Sequence, residues 1–216
     1  MPSRNVLKPY TSNTYYHIYN RGVEKRQIFL DDQDCHVFLR YIKLYLSPLD
    51  SIKKQSASGF VKSRFVHLNM SQNVELVCFA LMPNHIHLLV KQVSEDGIIK
   101  FMRSLSTSYV MYFNKKYKRT GSLFQGTYKG IVIPTDDYMQ HLSGYIHRNP
   151  MKITSNIDFL QYSSFPYYME EREAEWLTKD SILQYFSTIQ EYKEFVEGYG
   201  FNESKISPFK LETGCV

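Results

Sequence analysis

The feature that most constrains the fold is a pair of apolar segments separated by a short turn. Val74–Leu81 reads VELVCFAL, and His85–Val90 reads HIHLLV after the turn residues Met82-Pro83-Asn84. Short apolar runs on both sides of a proline-containing turn are typical of neighbouring buried strands. The sequence therefore predicts a β-hairpin in the interior of the protein.

Periodic patterns on either side of this hairpin predict the remaining elements. They are a strand over 13–21, a helix after the capping acids at 31–34, a long helix over Asp96–Lys118, a strand over Leu123–Ile133 and a helix from Thr135 to about His147. Pro48 is expected to end the first helix and Asn149-Pro150 the last one. Residues 49–72 are polar and serine-rich, which predicts a loop. The order β-α-β-β-α-β-α predicts an α+β fold whose first six elements form a ferredoxin-like βαββαβ antiparallel sheet with helices on one face.

The C-terminal part of the chain differs in composition from the rest. Pro166–Glu197 contains eight acidic residues and three basic ones. Helical patterns occur around Lys179–Phe186 and Ile189–Val196, and a loose tail is expected after them. We therefore predict one domain over 1–165 and an acidic helical extension with a tail over 166–216.

The centre of the chain carries the opposite charge. Residues 97–130 contain no Asp or Glu but several Lys and Arg residues. A solvated helix face is the ordinary explanation of a charged run, but so long a window without acids favours a surface that contacts phosphates. The 18 tyrosines fit base stacking as well as they fit half-buried positions on a sheet.

The composition excludes several classes of protein. Three cysteines are too few for a disulfide scaffold or a cysteine-built zinc finger. A hydrophobic share of 43% with 22% charged residues is that of an ordinary globular chain. No apolar run approaches the ~20 residues of a membrane span, and the N-terminus lacks an apolar signal segment. We expect a cytoplasmic protein without a membrane partner.

The chemically most informative motif is His85-Ile86-His87. Residues i and i+2 of a strand share a face, so both imidazoles can approach one divalent metal while Ile86 points into the core. Two structural histidines with satisfied polar atoms are the commoner outcome for such a pair. His17 on the first strand could support the site, although a half-buried strand histidine is the plainer interpretation.

A second motif, YIHRNP at 145–150, lies at the end of the last predicted helix. Tyr145 and Asn149 are four residues apart and therefore share one helical face. A tyrosine hydroxyl and an amide oxygen on that face could complete a site in which the histidines hold a metal. His147 and Arg148 fall on other faces.

Several segments resemble the one-tyrosine HUH transposases, and within them most closely the branch of REP-associated tyrosine transposases. The resemblance runs in collinear order over about residues 10–165. Its segments are YYHIYNRG (15–22), IFLDDQD (28–34), FALMPNHIHLLV (79–90), GSLFQGTYKG (121–130) and YIHRNP (145–150). The combination of MPNHIHLLV with YIHRNP is its most specific part. The family fold is ferredoxin-like, and residues 1–165 would be its catalytic domain.

The resemblance implies a role for each residue of the two motifs. His85 and His87 match the pair that binds a divalent cation, Mg²⁺ or Mn²⁺. Tyr145 matches the nucleophile, and Asn149 lies where family members place the third metal ligand. The implied reaction is attack of Tyr145 on a phosphodiester of single-stranded DNA, which leaves a 5′-phosphotyrosine link and a free 3′-OH. Another 3′-OH then rejoins the strand.

The implied partner is single-stranded DNA with a hairpin structure, which would place the protein at the nucleoid when it is bound. We expect phosphate contacts from Arg21, at the end of the first strand, and from cations of the basic window. These cations are Lys115, Lys116, Lys118, Arg119 and Lys129. Family members include monomers and dimers that exchange their tyrosine helices, so both oligomeric states stay open.

Other functions compete with this interpretation. A non-catalytic regulator that binds hairpin DNA would keep the basic surface but would not need Tyr145, and the intact pair of motifs argues against it. A replication initiator or relaxase of the wider HUH class usually carries further domains. An unrelated metal hydrolase would need more carboxylates near the histidines.

Overall fold

The computed structural model describes residues 10–198. Its strands are β1 (Thr14–Arg21), β2 (Val74–Met82), β3 (His85–Gln92) and β4 (Lys129–Val132). Its α-helices are α1 (Asp32–Leu46), α2 (Leu49–Ala57), α3 (Arg64–His67), α4 (Gly97–Lys116), α5 (Asp136–Met151), α6 (Phe165–Tyr168), α7 (Asp180–Leu183) and α8 (Ile189–Glu197). Short 3-10 helices lie at Val23–Lys25 and Phe159–Tyr162. The predicted loose tail lies outside the described residues.

The four strands form one antiparallel sheet in the order β2-β3-β1-β4. The hairpin predicted from the apolar runs is the β2–β3 pair, in which Met82 lies opposite His85. β1 runs between β3 and β4, as the first strand does in a ferredoxin-like sheet. The predicted α+β, ferredoxin-like fold is confirmed.

The sheet separates two hydrophobic layers. α1 and α4 pack on one face, where Ile18, Phe79, Ile86 and Leu88 are fully or almost fully buried. Ile86 thus points into the core, as its place between the two histidines predicts. The opposite face, over β2 and β3, is covered by α5, and α8 packs against α5 in turn. Burying each large apolar side chain in such layers contributes about 1.5–3 kcal/mol.

β2 shows no alternation of apolar and polar residues because hydrophobic layers cover both of its faces, and a bulge interrupts the alternation of its side chains between them. The register shifts between Leu76 and Cys78, so Val77 is an additional residue. Val77 and Cys78 both pack in the layer of α5, whereas Leu76 and Phe79 pack in the layer of α1 and α4. β2 is therefore buried on both sides along its length.

The structure corrects three boundaries. Residues 49–72 are not one loop but contain α2 and α3, each anchored by a single buried apolar residue, Ile52 and Phe65. One anchor per helix leaves no periodic pattern to detect. β4 begins at Lys129 rather than Leu123, because the segment before it bonds to the end of β1 as an irregular loop.

The third correction concerns the end of α5. The helix does not stop before Pro150 but includes it and ends at Met151. A proline in the last turn removes one intrahelical hydrogen bond. Burial of Ile146 and Pro150 offsets this loss.

The C-terminal segment folds onto the rest of the chain. α8 packs against α5, and Ile182, Tyr192 and Val196 are fully buried. The predicted boundary at residue 165 stays a prediction. Within residues 10–198 no helix is both long and apolar enough to cross a bilayer.

Candidate active site

The register of the sheet brings the polar residues of three strands onto one face. Arg21 lies opposite His85, and Tyr19 lies opposite both His87 and Lys129. Residues opposite each other in antiparallel strands share a face, so all of these side chains are on the side of the sheet that α5 covers over β2 and β3. We call this side the histidine face.

The two histidines of the motif are adjacent and held in place by neighbouring side chains. The rings of His85 and His87 are perpendicular, with centroids 4.8 Å apart. Nδ1 of His85 donates to Oδ1 of Asn84 at 2.6 Å, which leaves its Nε2 with a lone pair. Nδ1 of His87 shares a 2.9 Å hydrogen bond with Nε2 of His17. Nε2 of His87 is buried and has no hydrogen-bond partner among residues 10–198.

Burial keeps these imidazoles neutral. Desolvation, with a smaller effect of the Arg21 guanidinium, lowers the pKa of His85 to about 4. Desolvation, together with the neighbouring His85 and His17, lowers the pKa of His87 well below its ordinary value. Desolvation also lowers the pKa of His17 to about 3. At neutral pH the rings are therefore uncharged and can donate lone pairs to a metal.

Tyr145 reaches the histidines from α5 of the same chain. Its side chain is 5% exposed, and its ring centroid is 5.6 Å from that of His87, at an interplanar angle of 85°. α5 begins at a Thr135 cap, whose hydroxyl accepts from the backbone of Tyr138. The predicted nucleophile Tyr145 and the predicted ligands His85 and His87 are thus brought together within one chain.

Asn149 lies one turn beyond Tyr145 on α5 and is half-buried. Its Nδ2 is buried and has no hydrogen-bond partner among the described residues. An amide without such a bond can rotate and present its oxygen instead. No three His, Cys, Asp or Glu side chains form a metal-binding cluster in the described part of the chain. A metal at this face would therefore need a third ligand of another type, and an amide oxygen is suitable.

A buried hydrogen-bond network holds α5 in position. Nε2 of His147 bonds to Oγ of Ser164 at 2.6 Å, and its Nδ1 bonds to the hydroxyl of Tyr192 at 2.7 Å. Sγ of Cys78 on β2 lies 3.2 Å from the same ring. His147 is thus bonded to the sheet and to α8, and the C-terminal segment helps to fix the helix that carries Tyr145. With both nitrogens engaged, His147 is not a free proton acceptor.

The predicted phosphate contacts fall into two groups. Lys115, Lys118 and Lys129 are exposed, and Arg119 is half-buried against the side chain of Asn114 at 3.0 Å. Arg21 and Lys129 lie on the histidine face, while the others cluster at the end of α4 and just after it.

Lys116 is occupied by an internal ion pair. Its ammonium lies 2.6 Å from Asp31 and 2.8 Å from Asp34, whose side chain is fully buried. Burial alone would lower the pKa of Lys116, but the hydrogen bonds to the two carboxylates raise it. The Lys116 ammonium is thus bound within the protein by two carboxylates, and we expect no phosphate contact from it.

His17 has a closer connection to the site than the sequence indicates. It is fully buried rather than half-buried, and it bonds directly to His87. Metal-ligating histidines usually bond a second group through their other nitrogen. The signal in the sequence is its place on the strand next to β3, but its register could not be known in advance.

Comparisons with known proteins give a family. The family described as IS200-like transposases matches residues 10–149. A solved REP-associated tyrosine transposase bound to a REP hairpin has a TM-score of 0.51 at 14% identity, over 78% of this chain and 86% of that one. A candidate transposase from Deinococcus radiodurans R1 has a TM-score of 0.37 at 16% identity, over 62% of this chain and 90% of that one. A search of curated proteins found no match.

The structural similarity supports the ferredoxin-like fold, and the family match extends from before β1 to Asn149 on α5. It therefore includes the histidine pair, Tyr145 and Asn149, and more than half of the chain. This chain belongs to the IS200-like transposase family.

Proposed function

We propose that this protein is a metal-dependent single-stranded DNA transposase that cleaves and rejoins DNA through Tyr145. The observation that carries the proposal is the packing of Tyr145 against His87, whose Nε2 has no protein partner among the described residues. A phenol beside two neutral imidazoles is the arrangement that nucleophilic attack next to a bound cation requires.

In the first step the phenolic oxygen of Tyr145 bonds to the phosphorus of a backbone phosphodiester. The bond from phosphorus to the 3′ oxygen breaks, the phenol loses its proton and the leaving oxygen becomes a 3′-OH. In the second step another 3′-OH attacks the phosphotyrosine and restores the phenol, so no ATP is needed. Free tyrosine has a pKa of ~10, so the phenol needs help in losing its proton.

The residues that would hold Mg²⁺ or Mn²⁺ are His85, His87 and Asn149, through imidazole nitrogens and an amide oxygen. When bound, the cation would withdraw charge from a non-bridging phosphate oxygen and from the departing 3′ oxygen. Nitrogen ligands favour Mn²⁺ over Mg²⁺ in binding strength. His17 and Asn84 would keep the two rings oriented by bonding their other nitrogens.

The proposed substrate is single-stranded DNA with a hairpin. The solved relative in the comparison is described as bound to a REP hairpin, which supports this expectation. Arg21 and Lys129 lie next to the histidines, and Lys115, Lys118 and Arg119 form a second group of cations at and just after the end of α4. Since Tyr145 contacts His87 of its own chain, we propose that one chain supplies a complete site, whether the protein is a monomer or a dimer.

The test is a denaturing-gel assay with labelled hairpin oligonucleotides from the DNA that flanks the gene. The expected result is a covalent protein–DNA band that requires Mn²⁺ or Mg²⁺ and is absent with EDTA. Tyr145→Phe should abolish the band, whereas Tyr138→Phe, on the same helix, should keep it. Hairpin binding without any covalent band would favour the non-catalytic regulator.

A further inference from the structure

A cavity next to His85 is lined in part by Gln125 and Thr127, two residues to which the chemistry proposed above gives no role. Its volume is about 210 Å³. It is lined by Tyr19, Asn20, Arg21, His85, Gln125, Thr127 and Lys129. Pockets for drug-sized ligands measure ~300–1,000 Å³, so this cavity suits a smaller group, such as one nucleobase.

The cavity lies beside the proposed reaction centre. His85 forms part of its wall, and His87, whose ring is adjacent to His85, contacts Tyr145. The cavity is formed by the ends of β1 and β3 and the segment before β4, whereas Tyr145 approaches from α5. A strand whose phosphate lay at the histidines would therefore have a neighbouring nucleotide within reach of the cavity.

The chemistry of the lining favours an anionic ligand with a polar edge. Arg21 and Lys129 are cations, and no acidic residue lines the cavity. The Lys129 ammonium lies 5.7 Å from the ring centroid of Tyr19. Gln125 and Thr127 are exposed and offer an amide and a hydroxyl. An amide and a hydroxyl are side-chain groups that read base edges, and Gln pairs with adenine through two hydrogen bonds.

Backbone hydrogen bonds fix the position of Gln125. Its N–H donates to the carbonyl of Arg21 at 2.7 Å, and Val23 N–H donates to Leu123 at 2.9 Å. The next residue, Gly126, has φ of +72°, which a glycine adopts without strain. The irregular segment before β4 is thus attached to the end of β1. Its side chains are held at the rim of the cavity.

We propose that this cavity, here called the base pocket, binds one unpaired nucleotide next to the cleaved phosphodiester. Gln125 and Thr127 contact the edge of its base, and Arg21 and Lys129 contact its phosphate. The proposal rests on the proposed function and extends it, since it assigns sequence specificity to Gln125. Adenine is the base that the Gln125 amide fits best.

The test measures binding in EDTA, so that no cleavage occurs. Oligonucleotides from the flanking DNA carry each of the four bases in turn at every unpaired position near the hairpin. For the wild-type protein we expect one position at which bases differ about 10-fold or more in affinity. Gln125→Ala should reduce that difference to below about 3-fold and leave the other positions unchanged. Gln125→Glu should shift the preference toward cytosine, whose amino group a carboxylate accepts.

Two matched variants complete the experiment. Gln190→Ala, an exposed glutamine on α8, should leave the base profile as in the wild type. Lys129→Ala should weaken binding to all sequences alike and lower the salt slope by about 1. An unchanged base profile in Gln125→Ala, or an equal loss of affinity for all four bases, would overturn the proposal. Because the assay requires no covalent product, it tests the base pocket even if Tyr145 is not the nucleophile.

Discussion

Replacing Tyr192 by phenylalanine is expected to destabilise the protein because the hydroxyl that is removed is buried and hydrogen-bonded. Its hydroxyl lies 2.7 Å from Nδ1 of His147 and 3.2 Å from Oγ of Ser143. Tyr192 and His147 are both fully buried. Tyr192→Phe keeps the ring and removes only the oxygen. Nδ1 of His147 then stays buried without a partner.

The size of the effect follows from that one unsatisfied atom. Oγ of Ser143 still donates to the carbonyl of Gln140 at 2.7 Å, so it does not become unsatisfied. Leaving one buried polar group without a partner costs about 1–3 kcal/mol. For a chain of this size, 1 kcal/mol corresponds to about 2–4 °C in melting temperature. We therefore expect Tyr192→Phe to lower the melting temperature by roughly 2–12 °C.

Thermal and urea unfolding followed by circular dichroism would measure the change. The matched control is Tyr185→Phe, in the same C-terminal segment, which removes an exposed hydrogen bond to Asp136 at the start of α5 and should cost less than about 1 kcal/mol. Amide hydrogen exchange should show faster opening of α5 in Tyr192→Phe than in the control. Equal effects of the two variants would refute the assignment of the His147 network as the connection between α8 and α5.

Three further predictions concern charge, pH and metal binding. Lys116→Ala should cost about 1–3 kcal/mol because the buried Asp34 carboxylate loses its cation and keeps only hydrogen bonds from neutral donors. Lys115→Ala should keep stability and weaken DNA binding. The four buried histidines have lowered pKa values, so the unfolded chain takes up protons first. Stability should be full above about pH 6.5 and fall toward pH 4, by up to about 1.4 kcal/mol per pH unit for each histidine. His17→Leu should weaken Mn²⁺ binding about 10- to 100-fold, because His87 loses its orienting partner.

Each of these predictions has a simple contradiction. Chemical denaturation measures the stability of the Lys116→Ala and Lys115→Ala proteins, and fluorescence anisotropy measures their DNA affinity. A Lys116→Ala protein as stable as wild type would show that the ion pair does not stabilise the fold. A melting temperature that stays constant from pH 7 to pH 4 would contradict the lowered pKa values of the buried histidines. Calorimetric titration measures the Mn²⁺ affinity of the His17→Leu protein, with His36→Leu at an exposed position as control. If His17→Leu and wild type bound Mn²⁺ equally well, a positioning role for His17 would be excluded.

The sequence predicts the parts of this fold that rest on strong local patterns. The apolar runs around Met82-Pro83-Asn84 define the central hairpin, and alternation across His85-Ile86-His87 separates the two faces of β3. The histidine pair and Tyr145 are found from residue type and spacing together with family resemblance. Their contact in space depends on the packing of α5 against the sheet, which cannot be predicted from the spacing of residues in the sequence.

Other features depend on long-range contacts that leave no local signature. α2 and α3 have one buried anchor each, so their periodicity is weak. The engagement of Lys116 with Asp31 joins residues 85 positions apart. Likewise, the bonds of His147 to Ser164 and Tyr192 connect segments whose pairing no pattern in the sequence reveals. Which residues form these contacts is determined by the tertiary structure and cannot be inferred from the charge or type of a single residue.

The most direct test of the central claim is to identify the residue that carries DNA in the covalent product. The wild-type protein would react with a flanking hairpin oligonucleotide and Mn²⁺, followed by nuclease trimming, proteolysis and mass spectrometry. We predict a nucleotide on Tyr145 in the α5 peptide, linked through a 5′-phosphate. A nucleotide on any of the other 17 tyrosines, or a cleaved strand with no modified peptide, would contradict the account.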